Sequence, residues 1–202
     1  CVGTGNNVRG IDGSGRVGRI TGNSAPFGEF GGASEIMHTV LQRLAWMWTG
    51  RGVETSLATM LVENCRASHL DDLITGLVAG KYRLNTSQLP LVVQAAEQGD
   101  EVAQEVLVWN AQELAQSAIA VARQLDLADQ SFELVMSGHL FEVCGLFQKT
   151  FRENVLLSVS YAQIHLLSLP PVCGAVLMAM KSFGIDYKIP RDRLLQQKYL
   201  HY

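Results

Sequence analysis

The chain opens Cys1-Val2-Gly3-Thr4-Gly5-Asn6-Asn7-Val8-Arg9-Gly10-Ile11-Asp12-Gly13-Ser14-Gly15-Arg16, then Gly22-Asn23-Ser24-Ala25-Pro26-Phe27-Gly28-Glu29-Phe30-Gly31-Gly32. A glycine-rich turn, a hairpin and a second glycine-rich turn that feeds a helix follow one another here. Asp12-Gly13 between Val8–Ile11 and Arg16–Ile20 predicts the hairpin, because this pair suits the positive φ angles of tight turns. Closely spaced backbone amides beside a helix start can hold an anion, and glycine lets a phosphate approach the main chain. From Ala33 the apolar period changes. Ile36, Val40, Leu44 and Met47 share one face, flanked by Met37, Leu41 and Trp48, which predicts a helix over Ala33–Trp48.

Further along, the spacing predicts helices at Thr55–Arg66, Asp71–Val78, Pro90–Gln98 and Glu101–Leu125, a helical block over residues 51–130. A β-α-β-α alternation follows over 131–187. Its expected parts are a strand at Phe132–Met136 and a helix at Glu142–Glu153, then a strand at Val155–Tyr161 and a helix at Val172–Phe183. The last segment, 188–202, reads as a polar, incompletely ordered tail. A hairpin and first helix over 1–50, a helical block and this remainder make an α/β architecture, with ligands expected at the carboxyl ends of strands.

Bulk properties narrow the partners. The 202 residues are 48% apolar and 17% charged, enough for a sizeable core, and the net charge is −3. That balance offers no basic field for nucleic acid or an anionic membrane. Cys1, Cys65, Cys144 and Cys173 are scattered without metal spacing, as expected of reduced thiols in a cytoplasmic protein. The longest apolar run, near Val172–Met180, is too short to span a bilayer.

Three short motifs accompany Gly3-Thr4-Gly5 in chain order: the Gly22–Gly32 turn opening a helix, Ser137-Gly138-His139-Leu140 after a strand, and Pro171-Val172-Cys173-Gly174-Ala175 at the start of the last helix. In this order they resemble the BadF/BadG/BcrA/BcrD ATPase and N-acetylglucosamine kinase family of the actin/hexokinase superfamily. The resemblance covers nearly the whole chain. It implies an actin-like, ribonuclease H-like α/β ATPase domain with a helix-rich insertion. It further implies an ATP- and Mg2+-dependent kinase acting on an amino sugar, as a homodimer.

Residue by residue, the resemblance places ATP on Gly3, Thr4 and Gly5 and on Gly138, His139 and Gly174. It places the sugar on Thr4, Asn7, Gly22, Glu29 and Ala33. The family's Gly-Asp-Glu-Gly-Ser stretch falls on Gly28-Glu29-Phe30-Gly31-Gly32, so Phe30 stands where the family has a second carboxylate. His139 stands where bacterial members have glycine. The family's first phosphate turn and its general-base Asp belong to an N-terminal lobe absent from these residues. The resemblance therefore implies that this chain alone is inactive, with no catalytic or metal-ligating residue of its own. Two other readings stay open: a non-catalytic sugar- or nucleotide-binding domain, and an ATPase that activates a partner enzyme.

Overall fold

A computed structural model describes residues 1–167 and 169–196. The hairpin forms from β1 (Arg9–Ile11) and β2 (Val17–Arg19), antiparallel with Gly10 opposite Gly18. Asp12 closes it, its Oδ1 accepting the amides of Ser14 (2.9 Å) and Arg16 (3.0 Å). After a short 3-10 turn at Ala25–Phe27 comes α1 (Ala33–Trp48), which buries Ile36, Met37, Val40 and Leu44.

The helical block comprises α2 (Ser56–Cys65), α3 (Leu70–Val78), α4 (Leu89–Glu97) and α5 (Glu101–Gln124). Asp100 starts two of these helices at once. Its carboxylate accepts the Ala103 amide (2.9 Å) at the head of α5 and the Ser56 amide (2.7 Å) at the head of α2. At 24 residues α5 is about 36 Å long, and it is the spine of the fold. It packs against α1, α4 and the hairpin, and most extensively against α7 (Gly145–Ser158). Val106, Leu107, Ala111, Ala115 and Ile119 are fully enclosed along it.

The remainder is β3 (Phe132–Met136), α6 (His139–Val143), α7, β4 (Ala162–Leu166), α8 (Pro171–Ser182) and α9 (Lys188–Gln196). Strands β3 and β4 pair in parallel, Leu134 opposite Ile164. Met136, Ala162 and Ile164 turn inward, while Glu133, Val135, Gln163 and His165 face out, Glu133 paired with His165.

Three segments differ from the sequence-based expectation. The helix expected at Glu142–Glu153 is two helices, broken at Cys144, whose backbone is extended (φ −119°, ψ 91°). Residues Val155–Ser158, expected in a strand, end α7 instead. Phe147, Phe151, Val155 and Val159 recur every fourth residue and are all buried, so helical packing overrides the β-branched composition. The strand begins later, at Ala162. The polar tail holds a helix, α9, over its first nine residues, and 197–202 lie outside the described residues.

Helix α8 forms near its expected bounds, but none of its residues is buried. Val172, Val176, Met178 and the following Phe183 are exposed, and its packing neighbour is α9.

Candidate functional site

The opening turn is a narrow reversal. The Cys1 N–H group donates to the Asn7 carbonyl (2.8 Å), the Asn7 amide returns the bond to Cys1 (2.9 Å), and the Gly3 amide donates to Gly5 (2.8 Å). The Thr4 and Gly5 amides at its tip donate to no other group among the described residues. Two elements fix this tip. The carbonyls of Gly3 and Thr4 accept the first amides of α1, from Ala33 (3.0 Å) and Ser34 (2.7 Å). From the other side, the Val2 amide donates to the Ser137 carbonyl (2.7 Å) at the end of β3.

Two glycines permit this approach. Gly138 has φ +129°, and a Cβ there would overlap the Val2 carbonyl oxygen and lie 2.8 Å from its carbon. A Cβ on Gly32 would lie 2.5 Å from the Gly5 Cα. Motifs more than 130 positions apart are thereby in backbone contact.

Between them opens a cleft of about 520 Å³, within the usual size of small-molecule sites. One wall is Val2, Gly3, Thr4 and Ala33; a second is His139, Leu140 and Val143; the third is α4 and its lead-in, through Leu89, Pro90, Val93, Gln94 and Glu97. His139 Nδ1 lies 3.1 Å from Glu142, and both side chains are exposed. A second opening on the far side of Thr4 is lined by Ser34, Met37, His38 and Leu41.

Other residues singled out from the sequence lie elsewhere. Glu29 is buried, 6% exposed, with its carboxylate turned into its own loop. It accepts the amides of Thr21 (2.5 Å) and Asn23 (2.9 Å). Burial opposes its charge, but the bonds from Thr21, Asn23 and Gly22 outweigh burial and hold the carboxyl below its ordinary range. This loop meets the opening turn where Ser24 approaches Gly5. Phe30 is a packing residue, its ring edge-on to Trp109 at 4.6 Å. Asn7 borders a separate groove between the hairpin and β3. Gly22 borders open space, and Gly174, on α8, is not among the residues lining the cleft.

Two features escaped the sequence reading. Glu35, 2% exposed beneath Gly5 and Gly32, accepts a bond from the Asn6 side chain (3.4 Å). Its place at the third position of α1 after Gly32 was the available signal, since a carboxylate there often serves a helix start. The α4 wall had no such signal. Pro90, Val93 and Glu97 read as one face of an ordinary helix.

Among the described residues, no three His, Cys, Asp or Glu side chains are grouped to hold a metal ion. No helix among them is long and apolar enough to cross a membrane.

The chain is 28% identical over 186 residues to N-acetyl-D-glucosamine kinase of Dictyostelium discoideum, covering 90% of this chain and 57% of that protein. It thus spans little more than half the relative's length. The sequence pattern of one family matches residues 1–179, the opening turn, the helical block and the Ser137–Leu140 turn together. By that match, the chain belongs to the BadF/BadG/BcrA/BcrD ATPase family.

Proposed function

We propose that this chain forms part of the nucleotide and sugar cleft of an ATP-dependent amino-sugar kinase, converting N-acetylglucosamine to its 6-phosphate. The observation that carries the reading is the meeting of the Gly3–Gly5 and Gly138–His139 turns around one cleft. The free Thr4 and Gly5 amides suit phosphate oxygens. Leu89, Pro90, Val93, Leu140 and Val143 give apolar walls suited to a nucleoside. ATP supplies the phosphoryl group, and Mg2+ arrives with the phosphates.

On this reading Gly3, Thr4, Gly5, Gly138 and His139 hold the nucleotide, and Gly174 joins them by its family motif alone, since it does not line the cleft. Thr4, Asn7, Gly22, Glu29 and Ala33 belong to the sugar side. Glu29 acts there by fixing the Thr21–Asn23 turn, because its own oxygens are engaged. The domain is actin-like, with residues 51–130 as its helical insertion. The general-base Asp and first phosphate turn belong to an N-terminal lobe of the longer protein, so this chain alone does not turn over. The assembly is a cytoplasmic homodimer.

A non-catalytic binding domain is the second reading. The inward Glu29 carboxylate and the Phe30–Trp109 pair favour it, since neither side chain is offered to a sugar hydroxyl.

Titration calorimetry with ATP and magnesium, on this chain and on its longer gene product, tests the proposal. The nucleotide binds both, the longer protein alone phosphorylates N-acetylglucosamine, and Val93→Trp abolishes binding by filling the cleft. Nucleotide binding unaffected by Val93→Trp overturns the cleft assignment. Binding without turnover in either protein selects the second reading.

A further inference from the structure

Ser24 holds a backbone conformation that serine seldom adopts. Its φ is +62° and its ψ −154°, a region essentially reserved to glycine, where a side chain is strained. Arg66 also has a positive φ, +56°, but with ψ +34° it sits in the ordinary left-handed cap of α2. Strain of the Ser24 kind persists only where neighbours over-determine it, and it concentrates where ligands are held. The neighbours here do so. The Ser24 carbonyl accepts the amides of Phe27 (3.0 Å) and Glu29 (3.3 Å), and the Glu29 carboxylate accepts the Asn23 amide (2.9 Å) just before it.

Braced from both sides, Ser24 sets its hydroxyl against the opening turn. Its Oγ lies 4.0 Å from the place a Gly5 Cβ would occupy, and Glu35 Oε1 lies 3.9 Å from the same place. Glu35 is 2% exposed beneath the tip, whereas Ser24 is only partly buried. Among the described residues the Ser24 hydroxyl makes no hydrogen bond. Glycine at this position would make the same backbone bonds without strain, so the fold gains nothing from the hydroxyl. Gly3 and Thr4 line the cleft, Gly5 follows as the tip, and Ser24 stands beside that tip. Phosphates running out from a nucleoside in the cleft therefore pass the free amides of Thr4 and Gly5 and reach Ser24 last.

We propose that the Ser24 hydroxyl donates a hydrogen bond to the terminal phosphate of the bound nucleotide, and so makes the site prefer a triphosphate to a diphosphate. The contact rests on the nucleotide reading of the cleft and adds to it a side chain from the Gly22–Gly32 turn. A hydroxyl donating to a charged phosphate oxygen is a strong neutral donor's use, and two free backbone amides converge on the same group. The strained φ is what points the side chain there, and Glu29 is what holds that φ.

Two variants separate the hydroxyl from the strain. Ser24→Ala removes the O–H and keeps the strain, and Ser24→Gly removes both. Titration calorimetry of the full gene product with ATP and with ADP, each with magnesium, reads the contact. Both variants lose at least about tenfold in ATP affinity and stay within about twofold of the parent for ADP. Ser24→Gly melts about 2–4 °C above Ser24→Ala, the reverse of the ordinary order of these two residues. A serine with a merely structural role would shift ATP and ADP alike, and equal losses for both overturn the proposal. Unchanged ATP affinity in Ser24→Ala overturns it too, as does a Ser24→Gly protein that melts below Ser24→Ala. Failure of the parent protein to bind either nucleotide is a separate outcome, which removes the nucleotide reading and this contact with it.

Discussion

Replacing Gly138 with alanine sets a methyl carbon 2.8 Å from the Val2 carbonyl carbon, at a residue whose φ is +129°. Holding a side chain at such an angle costs about 1–3 kcal/mol. Relief of the overlap must push Val2 away, and the Val2–Ser137 bond, worth about 1 kcal/mol, goes with it. The expected loss is therefore about 3 kcal/mol, or roughly 6–12 °C in Tm for a domain of this size. Urea denaturation followed by circular dichroism measures it.

Gly174→Ala is the matched control. A methyl there meets nothing within 4 Å, and alanine is the better residue inside a helix. That variant loses no stability. A loss below about 1 kcal/mol for Gly138→Ala would refute the contact between the two turns. So would equal losses for both glycines.

Two further outcomes follow from the side chains. Glu29→Gln presents an amide donor to the Thr21 and Asn23 amides and costs about 1–3 kcal/mol at neutral pH. The native carboxyl titrates below its ordinary 4.5. Its stabilisation is therefore complete above that value and fades as pH falls through the lower folded value. Denaturation of the two proteins across acid pH should show the difference narrowing only in that window, and a constant difference would refute the carboxylate role. Cys144 is 3% exposed and its thiol is pushed up by burial, so iodoacetamide labels it about a hundredfold more slowly than exposed Cys1. Mass spectrometry of timed digests reads the two rates, and similar rates would mean that the turn between α6 and α7 opens freely.

How far the fold was legible depended on whether its signals were local. Helix α1 begins and ends where its apolar period does, and β3 matches its expected bounds, because both are framed by glycine or polar turns. The Val155–Tyr161 error arose from a run rich in β-branched and leucine residues. Only the stripe begun at Phe147, eight residues earlier, identifies its first half as helix. Of the candidate site, the glycine turns were visible as motifs. The Val2–Ser137 bond that joins them was not, since no local pattern reports a contact across 135 positions. The α4 wall was hidden for the same reason, and the inward Glu29 for another: a carboxylate reads alike whether it meets solvent or a loop's own amides.

The makeup of the cleft has a consequence for how it can be filled. None of its lining residues is Lys or Arg, and Glu97 contributes a negative charge. The leading amides of α1 are already spent on Gly3 and Thr4. A triphosphate entering this space finds dipoles but no fixed countercharge on these walls, so electroneutrality must arrive with it. Occupancy should then follow the supply of divalent cation closely and respond only weakly to added monovalent salt.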